Sequence, residues 1–326
     1  MPELDELLRA TLDRHAAGEI DRVTLVARAT DRGRAVRRRR RTVLTLTAAA
    51  VAVLVAAGGT VVVRAVGDGS ALRPGAVAPA EVTLPDAGLP GAAIDPAAVG
   101  TDPNFVHFAA PAVVAGARHH TWSSTVGYER LEAEIDGGLV YVTIGRDQAA
   151  VDQADAMTNL PAVLRREPVP GLWLRVDARD DAYARRVAAT LDLERTQRIL
   201  LPFQLVERPS EIESAYVGFI GDRYAQGGVV LRDTQGGRME VQAQYARDAD
   251  GTHERSNYSA RGRPAYVYPG QDEVALLGVP HLEVTVRIGK AYEGFGVADA
   301  DAVLATLNVT DRVERIDTWP SSLTLG

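Results

Sequence analysis

The sequence predicts an α+β protein: a single transmembrane helix followed by two related extracytoplasmic units, each an antiparallel sheet with a C-terminal helix. Three observations point that way. Residues 42–63 read TVLTLTAAAVAVLVAAGGTVVV, twenty-two positions without a charge, a proline or an amide side chain. As a helix that run reaches ~33 Å, enough to cross a ~30 Å hydrocarbon layer. Arg37, Arg38, Arg39, Arg40 and Arg41 stop directly before it, whereas only Arg64 follows closely, and a cationic flank holds its side of a span in the cytoplasm. Finally, a set of strand and helix signals occurs twice, in the same order, in the distal part of the chain.

Taken in order, residues 1–41 form a cytoplasmic helical segment. Leu4, Leu7, Leu8, Thr11 and Leu12 fall on one helical face, with Asp5, Glu6, Arg9 and Asp13 opposite. So few apolar side chains close no core of their own, which makes the leucine face a partner-binding candidate. Residues 42–63 are the anchor; a cleaved leader fits poorly, because 41 residues precede the apolar run. Within it Ala48, Ala52, Ala56 and Thr60 make a four-residue small-side-chain stripe, a pattern suited to a homodimer through the transmembrane helix. Residues 64–103, with Pro74, Pro79, Pro85, Pro90, Pro96 and Pro103, read as a semi-extended linker. Residues 104–206 and 207–318 are the two repeats, and 319–326 a tail.

The duplication rests on four correspondences. Gly137-Gly138 opens LVYVTI, with Val140, Val142 and Ile144 on one face; Gly236-Gly237 opens RMEVQAQY, with Met239, Val241, Ala243 and Tyr245 on one face and a wet face of Arg238, Glu240, Gln242 and Gln244. GLWLRVDA (Leu172, Leu174, Val176 inward) matches HLEVTVRIG (Leu282, Val284, Val286, Ile288 inward). The helices DAYARRVAATL and DADAVLATL share Ala-Thr-Leu, and Arg-Ile recurs at 198–199 and 315–316. The offset grows from 99 to 117, placing an insertion of eighteen residues in the second copy, within 246–270.

Composition narrows the function. Net charge is −7, yet residues 1–41 hold eleven Arg against seven Asp or Glu, so the acidity lies in the remainder. The basic run is thus a membrane flank, and the acidic exterior excludes nucleic acid as a partner. With no cysteine in the chain, disulfides, thiolate chemistry and Cys-ligated zinc are excluded. His119-His120, with His107 and His253, would be the metal candidates, but neighbours on a strand face opposite ways, so no metal site and no cofactor is expected. Asp248-Ala249-Asp250-Gly251 resembles the start of a calcium loop but has Ser259 where the bidentate Glu belongs. Asp299 and Asp301 read as N-terminal residues of the last helix. Gly289 to Gly296, with Lys290, lacks phosphate-loop spacing. No nucleophile elbow or triad spacing occurs, so an enzyme is not expected.

The stretches ELDELLRATLDRHA and VTLVARATDRGRAVRRRRR, the alanine-valine run and the Ala/Pro linker together resemble actinobacterial single-pass membrane proteins of the anti-sigma-factor-like kind. The resemblance covers residues 1–63 and is one of layout; the His and paired Cys ligands of the zinc-containing members are missing. It implies a membrane-anchored regulator that couples an extracytoplasmic sensing module to a cytoplasmic partner, a sigma factor, held by Leu4, Leu7, Leu8, Arg9 and Leu12, with the lipid bilayer as the other partner. The rival reading is a cell-envelope structural or adhesion-type protein without a signalling role.

Overall fold

In the computed structural model, residues 53–56, 59–62, 82–154, 160–206, 210–221, 224–247, 255–268, 272–288 and 294–325 are described. Two short strands come first, β1 (Val53–Ala56) and β2 (Gly59–Val62), paired with each other. They are followed by β3 (Asp86–Pro90), β4 (Phe105–Val106) and helix α1 (Pro111–Ala115). The first half of the main sheet comprises β5 (His119–Thr125), β6 (Tyr128–Ile135), β7 (Gly138–Gly145), helix α2 (Gln148–Gln153), β8 (Ala162–Val169), β9 (Leu172–Ala178) and helix α3 (Asp181–Ala189). Strands β10 (Arg195–Arg198) and β11 (Phe203–Gln204) lead out of it. The second half holds β12 (Glu211–Ile220), β13 (Tyr224–Arg232), β14 (Arg238–Ala246), β15 (Tyr258–Ala260), β16 (Arg263–Val267), β17 (Glu273–Leu276), β18 (Leu282–Arg287) and helix α4 (Val297–Thr306), before the closing strand β19 (Asn308–Val309).

This architecture corrects the predicted one twice. The apolar run is not a spanning helix where it is described: its Val-Leu-Val-Ala and Gly-Thr-Val-Val segments are β1 and β2. Among the described residues no helix is long and apolar enough to cross a membrane. Valine and threonine favour the pleated conformation and glycine disfavours a helix interior, which suits the Val-Leu-Val-Ala and Gly-Thr-Val-Val segments to strands. The single-pass placement, with residues 1–41 inside the cell and 64–326 outside, therefore loses its anchor. The small-residue stripe also loses its helical face, since Ala56 lies in β1 and Thr60 in β2.

The second correction concerns the two units. They are not separate sheets but halves of one twelve-stranded antiparallel sheet, ordered β15-β16-β17-β18-β14-β13-β12-β5-β6-β7-β9-β8. The seam is β5 against β12, in continuous register from Ser214 opposite Thr125 to Phe219 opposite His120. A five-stranded half standing alone would leave the N–H and C=O groups of β5 at an open edge; pairing with β12 satisfies them. On either side of the seam the order is the same: β5-β6-β7-β9-β8 mirrors β12-β13-β14-β18-β17, and β15 and β16 are the extra hairpin of the second half. In the first half, Asp136 (φ 51°) and Gly137 (φ 71°) make the two-residue turn between β6 and β7. Both central residues of such a turn need positive φ, which explains this Asp-Gly.

One face of the sheet is apolar. Val217, Trp122, Leu131, Val142 and Val176 form one cross-strand row, and Val229, Val241 and Val286 lie in a row of the second half. Two helices cover this face near its ends, α3 on β8 and β9, and α4 on β15, β17 and β18. Each presents the same triplet at helical spacing, Ala184, Val187 and Ala188 in α3 and Ala300, Val303 and Leu304 in α4, all buried. The Asp180 side chain caps α3 by accepting from the Tyr183 N–H at 2.7 Å. Asp299 reaches back to the Gly296 N–H at 2.8 Å, and both satisfy donors that a helix start leaves open. At the other end, Arg166 donates to the Ala188 carbonyl of α3, and Arg263 to the Leu304 and Leu307 carbonyls at the end of α4.

Two smaller sheets complete the fold. In the first, β10 is flanked by β3 and β4. The segment 82–103, read as linker, thus contributes a strand and the buried Leu84, Ala92 and Val99. In the second, β11 pairs with β19, and the Leu205 N–H donates to the Leu323 carbonyl at 2.9 Å. The C-terminal segment thereby returns to the first half, where the Leu323 N–H reaches Asn104 Oδ1 at 3.0 Å.

Candidate functional site

The other face of the sheet is polar, and it is buried. Strand alternation places its residues in cross-strand rows. One row runs Gln244, Gln226, Gly218, Thr121, Glu132, Tyr141, Asp177; the next runs Thr285, Gln242, Gly228, Tyr216, Ser123, Arg130, Thr143, Arg175. A third carries Glu240 opposite Arg287. Glu132 and Gln242 are each 1% exposed and Glu240 is fully buried. Burying such groups costs several kcal/mol unless they are paired.

Much of the face is paired. Arg175 forks onto Asp177, with Nε 2.9 Å from Oδ2 and Nη2 2.6 Å from Oδ1. The Tyr216 hydroxyl donates to Glu240 at 2.7 Å, and Arg287 Nη1 reaches the other Glu240 oxygen at 3.3 Å. Arg238 donates to Glu213 at 2.5 Å. Arg130 stacks over the Tyr141 ring, 4.3 Å from its centroid, and donates to the Ala154 carbonyl just past α2.

Other groups on this face have no hydrogen-bond partner among the described residues: both oxygens of Glu132, both terminal atoms of Gln242, Gln226 Nε2, Glu213 Oε2 and Arg130 Nε. Burial, opposed by Arg130, pushes the Glu132 carboxyl up to about 7. Burial and the Glu132 charge push Tyr141 up to about 12. Burial also raises Glu240. The result is a hydrogen-bonding surface of mixed donors and acceptors with little water around it.

The residues singled out from the sequence are placed differently. Leu4, Leu7, Leu8, Arg9, Leu12 and Arg37, Arg38, Arg39, Arg40, Arg41 lie outside the described residues, as do His253, Asp248, Asp250 and Lys290. His107 is built into the fold: its Nδ1 lies 2.6 Å from Glu129 Oε1, and the same carboxylate accepts the backbone N–H groups of His107 and Gly100. His119 contacts Thr121 Oγ1 at 3.2 Å, whereas His120 is buried against Phe219. Burial, reinforced by His119, lowers His120 to about 4. Among the described residues no three His, Asp or Glu side chains gather as metal ligands. Asp301 accepts from the Tyr258 hydroxyl rather than capping α4.

The buried polar rows are the feature that sequence reasoning passed over. The signal was present in Arg130-x-Glu132, Arg175-x-Asp177 and Glu240-x-Gln242, each a polar pair at strand spacing. Together the fold and this face define a broad antiparallel sheet protein, apolar and helix-covered on one side and densely polar on the other. No protein-family model, curated protein or solved structure matches the chain.

Proposed function

We propose that the chain is a non-enzymatic regulatory binding protein whose folded region takes a small, uncharged, hydroxyl-rich molecule on the polar face of the sheet. The observation that carries this reading is the group of buried, unpartnered hydrogen-bonding atoms on Glu132, Gln226 and Gln242. Leaving them unpaired costs about 1–3 kcal/mol each, a cost a ligand would offset once the face opens to admit it, since these atoms have no accessible surface in the closed fold. The atoms include acceptors and donors, set among Arg130, Arg175 and Arg287 on one hand and Asp177 and Glu240 on the other. An anion or a cation would meet like charge somewhere along the rows. A hydroxyl both donates and accepts, so a saccharide or polyol satisfies either kind of atom without bringing a charge. The leucine face of residues 1–36 would hold the protein partner that receives the signal.

The test is thermal denaturation with maltose, trehalose, myo-inositol and N-acetylglucosamine at millimolar concentration. At least one should raise Tm, by the amount its free concentration relative to Kd dictates. Gln242→Leu should be more stable than the native chain by about 1 kcal/mol when free, and should lose the ligand response. A less stable Gln242→Leu protein, or no response to any of the four compounds, would overturn the reading.

A further inference from the structure

In the second half of the sheet, at one end of the polar face, side chains that keep accessible surface gather around a single carboxylate. Glu283 of β18 stands opposite Gln244 of β14, and Tyr224 of β13 lies one strand further and one row along, opposite Ala246. From the other side, Tyr266 of β16 shares the row of Ala275, Thr285 and Gln242. Tyr268 lies just past that strand on the same face, its N–H still paired with the Glu273 carbonyl at 3.1 Å. Its side chain reaches across β17 and donates the hydroxyl to Glu283 Oε1 at 2.8 Å. The Tyr266 and Tyr268 rings meet edge to face, with centroids 5.2 Å apart and planes at 79°. Tyr224, Gln244, Tyr266, Tyr268 and Glu283 are all half-buried.

Charge sets this corner apart from the rest of the face. Asp177 is paired with Arg175 and Glu240 with Arg287, but among the described residues no guanidinium is paired with Glu283, whose partner is the Tyr268 hydroxyl. Arg287, four residues on and about 13 Å along the strand, is taken up by Glu240 and Glu273. Burial, with the Glu283 charge behind it, pushes the Tyr224 hydroxyl up to about 12, so that group stays neutral and adds no second charge. A carboxylate bordered by tyrosine rings attracts a cation twice, through its own charge and through the negative faces of the rings. One carboxylate is too few ligands for a metal ion, whereas a weakly hydrated organic ammonium suits both the charge and the rings. We propose that the corner formed by Tyr224, Tyr266, Tyr268 and Glu283 binds a small quaternary ammonium group, its N-methyl groups against the rings and its charge beside the carboxylate. The site uses neither Glu132 nor Gln242, and it takes a charged ligand where the central rows take an uncharged one.

The experiment titrates the full chain at low salt with choline and, separately, with 3,3-dimethyl-1-butanol, which has the same shape without the charge, following binding by ligand-observed NMR. Choline should bind about tenfold tighter than the alcohol. Glu283→Gln should bring choline down to the level of the alcohol and leave the alcohol unchanged. Tyr268→Leu should weaken both, while Tyr268→Phe keeps the ring and should keep the preference for choline; Tyr266→Leu repeats the ring test if Tyr268→Leu does not fold. Gln242→Leu, which should lose the saccharide response, should bind choline as the native chain does, so the two readings fail separately. Sedimentation with phosphatidylcholine vesicles then tells the source of the group: a lipid headgroup carries the chain down with the vesicles, and a free solute leaves it in solution. No binding of choline, equal affinities for choline and the alcohol, or choline binding unchanged by Glu283→Gln would each overturn the proposal.

Discussion

Glu132 is where pH should act most visibly on this protein. Its carboxyl faces Thr121 on β5 and Tyr141 on β7, with Arg130 two residues away on its own strand. Burial raises its pKa from 4.5 to about 7, so between those values the folded chain keeps a proton that the unfolded chain has released. Stability should therefore fall as pH rises through that window, by up to about 3 kcal/mol, and stay level above it. His120 acts with the opposite sign: burial lowers it from 6.5 to about 4, so stability falls as pH drops through that interval. Urea denaturation of Glu132→Gln at pH 5 and pH 8 separates the two. The variant should gain on the native chain at pH 8 and lose that advantage towards pH 5; an equal difference at both values would show that Glu132 does not titrate in this range. β6, the strand that carries Glu132, was not among the strands read from the sequence. Alternation distinguishes a polar face from an apolar one, and says nothing of whether water reaches it. The face of β14 read as wet, with Glu240 and Gln242, is buried.

Among the elements, β13 and β14 show how closely the backbones approach beneath the polar rows. A Cβ on Gly228 would sit 2.5 Å from the Val241 carbonyl oxygen and 3.0 Å from the Tyr216 hydroxyl. The carbonyl belongs to the paired β14 strand and the hydroxyl is committed to Glu240, so neither yields without breaking a bond. Gly228→Ala should cost about 1–3 kcal/mol in chemical denaturation. A change within a few tenths of a kcal/mol would mean that the ladder shifts freely there. Such contacts are invisible in sequence, where Gly227-Gly228 resembles a turn. The apolar faces were legible: Val140, Val142 and Ile144 of β7, and Leu282, Val284 and Val286 of β18, alternate cleanly and are buried. So were α3 and α4, whose apolar triplets follow the helical period. Residues 42–63 misled because hydropathy alone does not separate a spanning helix from Val/Thr/Gly strands.

At the scale of the whole molecule, the β5–β12 seam makes the two halves interdependent. A fragment of residues 82–206 should not behave as a folded monomer, because β5 would present an open edge and β11 would lack β19. Size-exclusion chromatography should find it aggregated or self-paired, and mixing it with residues 207–325 should restore one compact species. A monomeric, folded 82–206 fragment would contradict the single-sheet architecture. The seam left little trace in the sequence, since β5 carries His120 and Ser124 on the core side and its pairing is made by backbone groups.

That seam has the form of a two-fold homodimer contact written into one chain. In a true homodimer every residue on the polar face would appear twice. Here the two halves differ. Where the Val142–Val176 pair of the first half is flanked by Tyr141 opposite Asp177, the matching Val241–Val286 pair is flanked by Glu240 opposite Arg287. The lobes thus present different hydrogen-bonding partners and a different order of charge. A molecule lying across the seam would find its two ends recognised differently, and so would bind in one direction only.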